Sequence, residues 1–354
     1  MSVDAQALKE RLLTDNVLEV IKPEELEAQL TSGRKDLKAY IGFEPSGIAH
    51  IAWKMMVGKV IDLTNCGYQV TILLADWHAY INDKLAGDIQ AIKTCGAYME
   101  DCFKAFGVDQ DRTKFVYCSG YIDDPRYWEL VLRSAKANSL QRMKRALTIM
   151  GRQEDEADLD ASKLIYPAMQ VADIFYLDVD VALGGMDQRK AHMLAREVAP
   201  KVGRKTFVAL HTHLIAGLAG AEGRMAPEEA KMSKSKPDSA IFIHDAPEEV
   251  DRKMKKAFCP QGQVDGNPVL QMARHLVFSE KGRLEIKRPA KFGGDVAFER
   301  YSDLEAAFAA SKVHPADLKT SVAASINEML VPVAAYFKAH PHNLEKVRGF
   351  KTTR

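Results

Sequence analysis

Apolar positions along this chain fall into two spacings. Short apolar runs bounded by turn residues occur at 38–43, 69–76, 114–119, 179–183 and 206–215, and these predict strands. Between them, apolar residues recur at helical spacing over 51–66, 88–106, 128–150, 166–176 and 187–198. Gly67, directly after Cys66, suits a helix C-terminus. Strands separated by helices predict βαβ units and a parallel sheet. Ligands of such sheets bind beyond the carboxyl ends of the strands, where the strand order reverses. Residues 1–34 read as helical, an amphipathic run that stops near Ser32 and Gly33. After about residue 245 the strand pattern fades, and helices are predicted over 247–257, 268–278, 302–311, 315–336 and 341–347. The expected class is α/β with a second, mostly helical domain. Its parts are a helical segment at 1–34, a strand–helix domain at 35–220, a linker at 221–245 and a helical domain at 246–354. The boundary falls in a glycine-rich, charged stretch, 216–240.

Composition then narrows the classes. The chain's 354 residues suffice for two domains, and 47% hydrophobic residues can fill their cores. A formal net charge of +1 supplies no global field for nucleic acid, so RNA binding needs a local basic patch. Five cysteines (Cys66, Cys95, Cys102, Cys118 and Cys259) lie scattered without a CxxC pair. That argues against a zinc site or a disulfide framework, and for a reducing compartment. The N-terminus carries Asp4 and Glu10 and no apolar run, so no signal peptide is expected. No stretch approaches the ~20 apolar residues of a membrane span. A cytoplasmic protein without a membrane partner is expected.

Four segments carry candidate chemistry. The first strand runs into Pro45, Ser46 and Gly47, and His50 opens the next helix. Small residues let a backbone approach a ligand, and a helix N-terminus offers free N–H groups to phosphate. The same segment reads equally well as a strand–turn–helix corner with a core histidine. Lys231, Met232, Ser233, Lys234 and Ser235 form a basic run after the linker, where lysines can neutralise a leaving pyrophosphate. Its alternative is a solvated basic loop. Tyr166, Gln170 and Asp173 are spaced i, i+4, i+7, which puts a phenol, an amide and a carboxylate on one helix face. That face is either a polar pocket floor or an exposed stripe. Gly184, Gly185, Met186, Asp187 and Gln188 follow a strand; glycines permit close backbone approach, and a carboxylate can bind ribose hydroxyls. Alone, this run is also a plain turn with an N-cap.

The His50 loop after the first strand and the Lys231 to Ser235 run after the last resemble the paired HIGH and KMSKS segments of class I aminoacyl-tRNA synthetases. The second match is complete; in the first, Ala52 replaces a glycine and Trp53 the second histidine. The run 164–174 resembles the tyrosine-binding helix of tyrosyl-tRNA synthetases of archaeal and eukaryotic type, and the resemblance extends from Glu25 to about Tyr336. It implies a Rossmann-like catalytic domain and a helical anticodon-binding domain. An insertion near 120–165 would serve dimerisation and the acceptor stem. It also implies roles. L-Tyrosine would be held by Tyr40, Gly42, Leu74, His78, Tyr166, Gln170, Asp173 and Gln188, although His78 by itself reads more simply as a satisfied core histidine. ATP would be held by Glu44, Ser46, His50, Gly185, Asp187, Met232 and Lys234. His50, Lys231, Ser233, Lys234 and Ser235 would act on the phosphates with Mg²⁺ bridging them, and no protein-held metal is implied.

The partner implied is tRNA(Tyr), bound by a homodimer. Residues 130–153 contain Arg133, Lys136, Arg142, Lys144, Arg145 and Arg152 with one acid-free basic character, followed by acids at 154–160. The stretch suits either a phosphate track or a solvated helix face. By resemblance, Arg145, Arg189, Lys190 and Met193 meet the acceptor stem. Phe292 and His314 would stack on the first anticodon base and Asp317 would read it as G. Without the resemblance, these last residues read as a Gly-Gly turn and a Pro-started helix. Two other classes remain: a tryptophanyl synthetase, which has no use for a Tyr40–Asp173 pair, and a non-catalytic RNA-binding relative, supported by Ala52 and Trp53.

Overall fold

The apolar runs assemble into one six-stranded sheet in the computed structural model, which describes residues 9–10, 12–13, 16–151, 160–220, 232 and 237–350. Its strands are Val17–Ile21 (β1), Lys38–Phe43 (β2), Gln69–Leu74 (β3), Thr113–Tyr117 (β4), Val181–Gly185 (β5) and Val208–Thr212 (β6). The order is β1-β6-β5-β2-β3-β4. Strands β2 to β6 pair in parallel, as helical crossovers require, and β1 joins antiparallel to β6. β5 and β6 are buried at every position, the mark of strands covered on both faces. The chain leaves β2 first toward β3 and β4 and later returns to β5 on the other side. The strand order therefore reverses between β2 and β5, where Glu44, Gly185 and Asp187 lie at or just beyond the strand ends and Tyr40 lies within β2.

β1 corrects the helical reading of residues 1–34. Val17, Val20 and Ile21 form a short β-branched run, too short to show a period, and the open edge of β6 decides its state. A helix, Pro23–Thr31, follows it. The single helix expected at 128–150 is two, Pro125–Lys136 and Leu140–Ala146. Side chains of Asp124 and Ser139 accept N–H bonds at their starts. The expected strand over 69–76 stops at Leu74, and Asp76–Ile81 is a short helix.

Contacts divide the chain into two units. One comprises Met1–Gly47, Gly58–His213 and His342–Arg354, and the other Ile48–Val57 and Leu214–Pro341. The second unit contains the helices Pro247–Lys256, Pro268–Met272, Tyr301–Ala309 and Pro315–Ala339. Pro247, Pro268 and Pro315 sit in first turns, where a missing N–H costs nothing. A two-stranded ladder, Leu284–Ile286 (β7) with Val296–Phe298 (β8), escaped the sequence reading because three-residue strands carry no periodicity. The last helix, His342–Arg348, groups with the sheet unit, where Asn343 donates to Asp101 Oδ2 at 2.8 Å.

Candidate active site

β2 forms one wall. Strand alternation puts Tyr40 and Gly42 on the same face, and the Tyr40 phenol lies along the strand over Gly42. A Cβ on Gly42 would stand 2.8 Å from the Tyr40 hydroxyl, so a glycine is required to seat it. Burial, with the nearby charge of Asp173, pushes the Tyr40 pKa far above its ordinary value and keeps the hydroxyl neutral.

The helix Ala161–Tyr176 forms the second wall, and Tyr166, Gln170 and Asp173 are all buried on it. Tyr121 Oη donates to Asp173 Oδ1 at 2.7 Å. His78 Nε2 stands 3.0 Å from Asp173 Oδ2, close enough for charge pairing. The N–H is not aligned, so both atoms keep unfilled hydrogen-bonding capacity. Gln170 Nε2 donates to Gln188 Oε1 at 2.9 Å, which leaves Gln170 Oε1 a buried acceptor without a donor. An unfilled buried acceptor costs about 1–3 kcal/mol. Two on one helix face mark a wall built for a ligand that brings donors to both.

Three placements differ from the sequence reading. β3 pairs Gly42 with Leu73 and Phe43 with Leu74, so Leu73, not Leu74, shares the face of Tyr40. Leu73 also packs in the same apolar cluster as Tyr40. Glu44, expected at ATP, accepts from Tyr166 Oη at 2.6 Å and from Asn82 Nδ2 at 3.1 Å. Its carboxylate therefore lies at the Tyr166 end of the pocket. His78 is more than a core histidine: its ring meets Tyr166 edge-on at 4.9 Å. Burial opposes its charge, but Asp173 and Cys118 together outweigh burial and lift its pKa well above the ordinary 6.5. Tyr121 was missed altogether; the only signal was its place in an aromatic-rich stretch of sequence with Tyr117, Tyr127 and Trp128.

β5 ends in Gly184 and Gly185, and a 3-10 turn, Met186–Gln188, follows. A Cβ on Gly184 would stand 3.0 Å from Gln188 Cβ and 3.1 Å from His192 Cε1. Glycine thus lets the turn fold back and present Asp187 and Gln188 beside the strand end.

Residues 31–331 match the family of class I tRNA synthetases for tryptophan and tyrosine (W and Y). The chain belongs to that family. The synthetase is 49% identical over 332 residues to a tyrosine–tRNA ligase of Sulfurisphaera tokodaii, covering 92% of this chain and 91% of that one. It is 47% identical to the tyrosine–tRNA ligase of Saccharolobus islandicus, covering 98% of each. Among solved structures it resembles tyrosyl-tRNA synthetase from Aeropyrum pernix, with TM-score 0.87, 44% identity and coverage of 98% and 99%. It also resembles the Pyrococcus horikoshii enzyme complexed with L-tyrosine, with TM-score 0.90, 41% identity and coverage of 98% and 100%.

In this class I synthetase the His50 corner belongs to the second unit. Ile51 N–H donates to Ile241 O at 2.8 Å, Ile243 N–H to Ala49 O at 3.1 Å, and His50 bridges Phe242. Asp245 Oδ2 accepts from Phe242 N–H at 2.8 Å and from Lys253 Nζ at 2.7 Å. The Lys253 ammonium also lies 4.7 Å from the Phe242 ring centroid. The segment just beyond the basic loop is thereby stitched to the histidine corner. Met232 is buried and donates its N–H to Ile215 O at 3.1 Å. Lys231, Ser233, Lys234 and Ser235 lie outside the described residues. Ser46 is partly buried after β2.

The synthetase's candidate RNA residues divide. Lys190 donates to Thr148 Oγ1 at 2.9 Å and Arg142 pairs with Glu197 at 2.8 Å. These bonds lay 140–150 along the helix Arg189–Val198, bringing together the elements that carry exposed Arg145, Lys190 and partly buried Met193. Arg189 is instead committed to Glu19 of β1, at 2.7 and 2.9 Å, and Glu19 also meets His211 Nδ1 at 2.8 Å. In the second unit, His314 caps the helix Pro315–Ala339 by accepting from Ala316 N–H, and Asp317 lies in its first turn. Phe292 ends the turn Ala290–Phe292, before Gly293 and Gly294 at φ of 100° and 70°. Arg288, also missed from sequence, donates to Gly294 O at 2.6 Å and Lys312 O at 3.1 Å. It ties the Phe292 turn to the residues just before His314.

Proposed function

We propose that this chain is a tyrosine–tRNA ligase, which activates L-tyrosine with ATP and transfers it to tRNA(Tyr). Near-full-length identity to relatives bearing that activity supports the assignment. The observation that carries the amino-acid choice is the buried, unfilled Asp173 Oδ2 near the neutral hydroxyl of Tyr40. A substrate phenol donates to Asp173 and accepts from Tyr40. Phenylalanine would leave both unpaired, and the indole of tryptophan donates but cannot accept. At the other end, Tyr166, Gln170 Oε1, Gln188 and the Glu44 carboxylate suit the substrate ammonium.

The reaction needs no protein nucleophile. An oxygen of the tyrosine carboxylate attacks the α-phosphorus of ATP, and the bond to pyrophosphate breaks. Positioning and charge stabilisation carry the rate. By motif, Gly185 and Asp187 take the ribose. Ser46, His50, Met232 and the Lys231, Ser233, Lys234 and Ser235 run take the phosphates, with Mg²⁺ arriving on the triphosphate. In the resulting tyrosyl-adenylate, a hydroxyl of the 3′-terminal ribose of tRNA attacks the carbonyl carbon, the anhydride bond to phosphate breaks, and AMP leaves. Arg145, Lys190 and Met193 are assigned to the acceptor stem, and Phe292, His314 and Asp317 to the anticodon. Arg189 belongs there only if its pair with Glu19 opens. Exposed Trp128 and Leu132, one helical turn apart, and exposed Leu140 and Ile165 support a homodimer. None of the described helices is long and apolar enough to cross a membrane, and a cytoplasmic location fits the use of tRNA.

ATP–pyrophosphate exchange driven by tyrosine, tryptophan or neither is the deciding assay. Exchange with tyrosine alone is expected. Exchange with tryptophan, or none with either amino acid, would overturn the assignment.

A further inference from the structure

We propose that Tyr121 is a positioning residue for amino-acid choice: its hydroxyl holds Asp173 Oδ1 and so presents Oδ2 in one orientation to the substrate phenol. This rests on reading the pocket as a tyrosine site. The terminal torsion of an aspartate is broad and nearly two-fold, so a carboxylate left to itself presents no single oxygen in one direction. The 2.7 Å bond from Tyr121 removes that freedom. Asp173 lies 52 residues away in sequence, so no local geometry imposes the bond.

The donor is itself fixed. The Tyr121 ring stacks on Tyr176 at 4.8 Å with 27° between planes, and Tyr127 meets it edge-on at 5.0 Å. Tyr176 Oη donates to Asp124 Oδ2 at 2.8 Å, and Asp124 caps the helix Pro125–Lys136. Tyr176 also sits one turn after Asp173 on the helix Ala161–Tyr176. A continuous brace therefore runs from a helix cap through two rings to the carboxylate. Tyr121 is buried in the same apolar cluster as Tyr40, which excludes water as a substitute donor at Oδ1. His78 approaches the other oxygen without an aligned hydrogen bond, so Oδ2 keeps its capacity to accept from the substrate phenol.

The test is tyrosine- and phenylalanine-driven exchange in the wild type and in Tyr121→Phe, which deletes one oxygen and keeps the stacked ring. In the variant, KM for tyrosine is expected to rise about ten-fold, while kcat and KM for ATP stay within about three-fold. The ratio of kcat/KM for tyrosine over phenylalanine is expected to fall about ten- to a hundred-fold. A purely packing role would lower the melting temperature and leave that ratio unchanged, and that result overturns the proposal. Should Tyr121→Phe not fold, Tyr176→Phe loosens the same brace and is expected to lower the ratio less; an unchanged ratio there is equally decisive against it. Absence of tyrosine-driven exchange in the wild type is a separate failure, of the function itself.

Discussion

Gly42 and Tyr40 show how little freedom single residues of the pocket have. A Cβ at Gly42 would stand 2.8 Å from the Tyr40 hydroxyl, the far end of a side chain that can swing away. Gly42→Ala is therefore expected to fold but to displace the hydroxyl. KM for tyrosine should rise about ten-fold in exchange assays, with little change in melting temperature; a stable variant with unaltered KM would show that Tyr40 is not used. His78 gives a pH signature. Its pKa is raised, so the stability from its charge beside Asp173 is fully present below the ordinary 6.5 and is lost as pH rises through the folded-state value. The stability advantage of wild type over Asp173→Asn should therefore shrink with rising pH, as followed by thermal melts from about pH 6 to 9. An advantage that stays flat would remove the charged pair. Residues on one helix face were legible, because the spacing of Tyr166, Gln170 and Asp173 already implies their convergence. Tyr121 was not, since its partner is distant in sequence, nor was the face that Leu73 shares with Tyr40, because alternation alone does not say how the faces of two strands line up.

At the scale of elements, the stitch between Ala49–Ile51 and Ile241–Ile243 is braced by the largely buried ion pair of Lys253 with Asp245. Removing one partner of such a pair costs about 3–5 kcal/mol, because the other charge stays buried. Lys253 is only 4% exposed, so Lys253→Met should lower the melting temperature markedly. Adding Asp245→Asn removes the stranded charge and should recover much of that loss. If the stitch also positions the histidine corner, the double variant will remain slow in kcat for exchange while KM for tyrosine is unchanged; a full return of kcat would confine the pair to stability. The elements of the parallel sheet were legible for a related reason. Buried strands are nearly continuous apolar runs, and their helices keep one apolar face. β1 and the β7–β8 ladder were not, because their state is decided by an open neighbouring strand rather than by their own pattern.

Over the whole molecule the charge is close to balanced, at +1, so tRNA must be gripped by local groups rather than by a global field. Whatever the Phe292 turn and the start of the helix Pro315–Ala339 add to tRNA binding should then be separable from amino-acid activation. Arg288 is the sharpest probe of this, because it joins the Phe292 turn to Lys312 through two backbone carbonyls. Its loss frees the turn without removing an aromatic ring or the Asp317 carboxylate. Arg288→Ala is expected to raise KM for tRNA in aminoacylation about ten-fold, of the order expected when a base-stacking platform is misplaced. Tyrosine-driven exchange, measured without tRNA, should be unchanged, and Asp317→Ala should behave in the same way. The two variants combined should add less than independent effects would, since both act on one base. Equal losses in exchange and aminoacylation would mean that the Phe292 turn and Asp317 also serve the chemistry, and full additivity would mean that Arg288 and Asp317 meet different parts of the RNA.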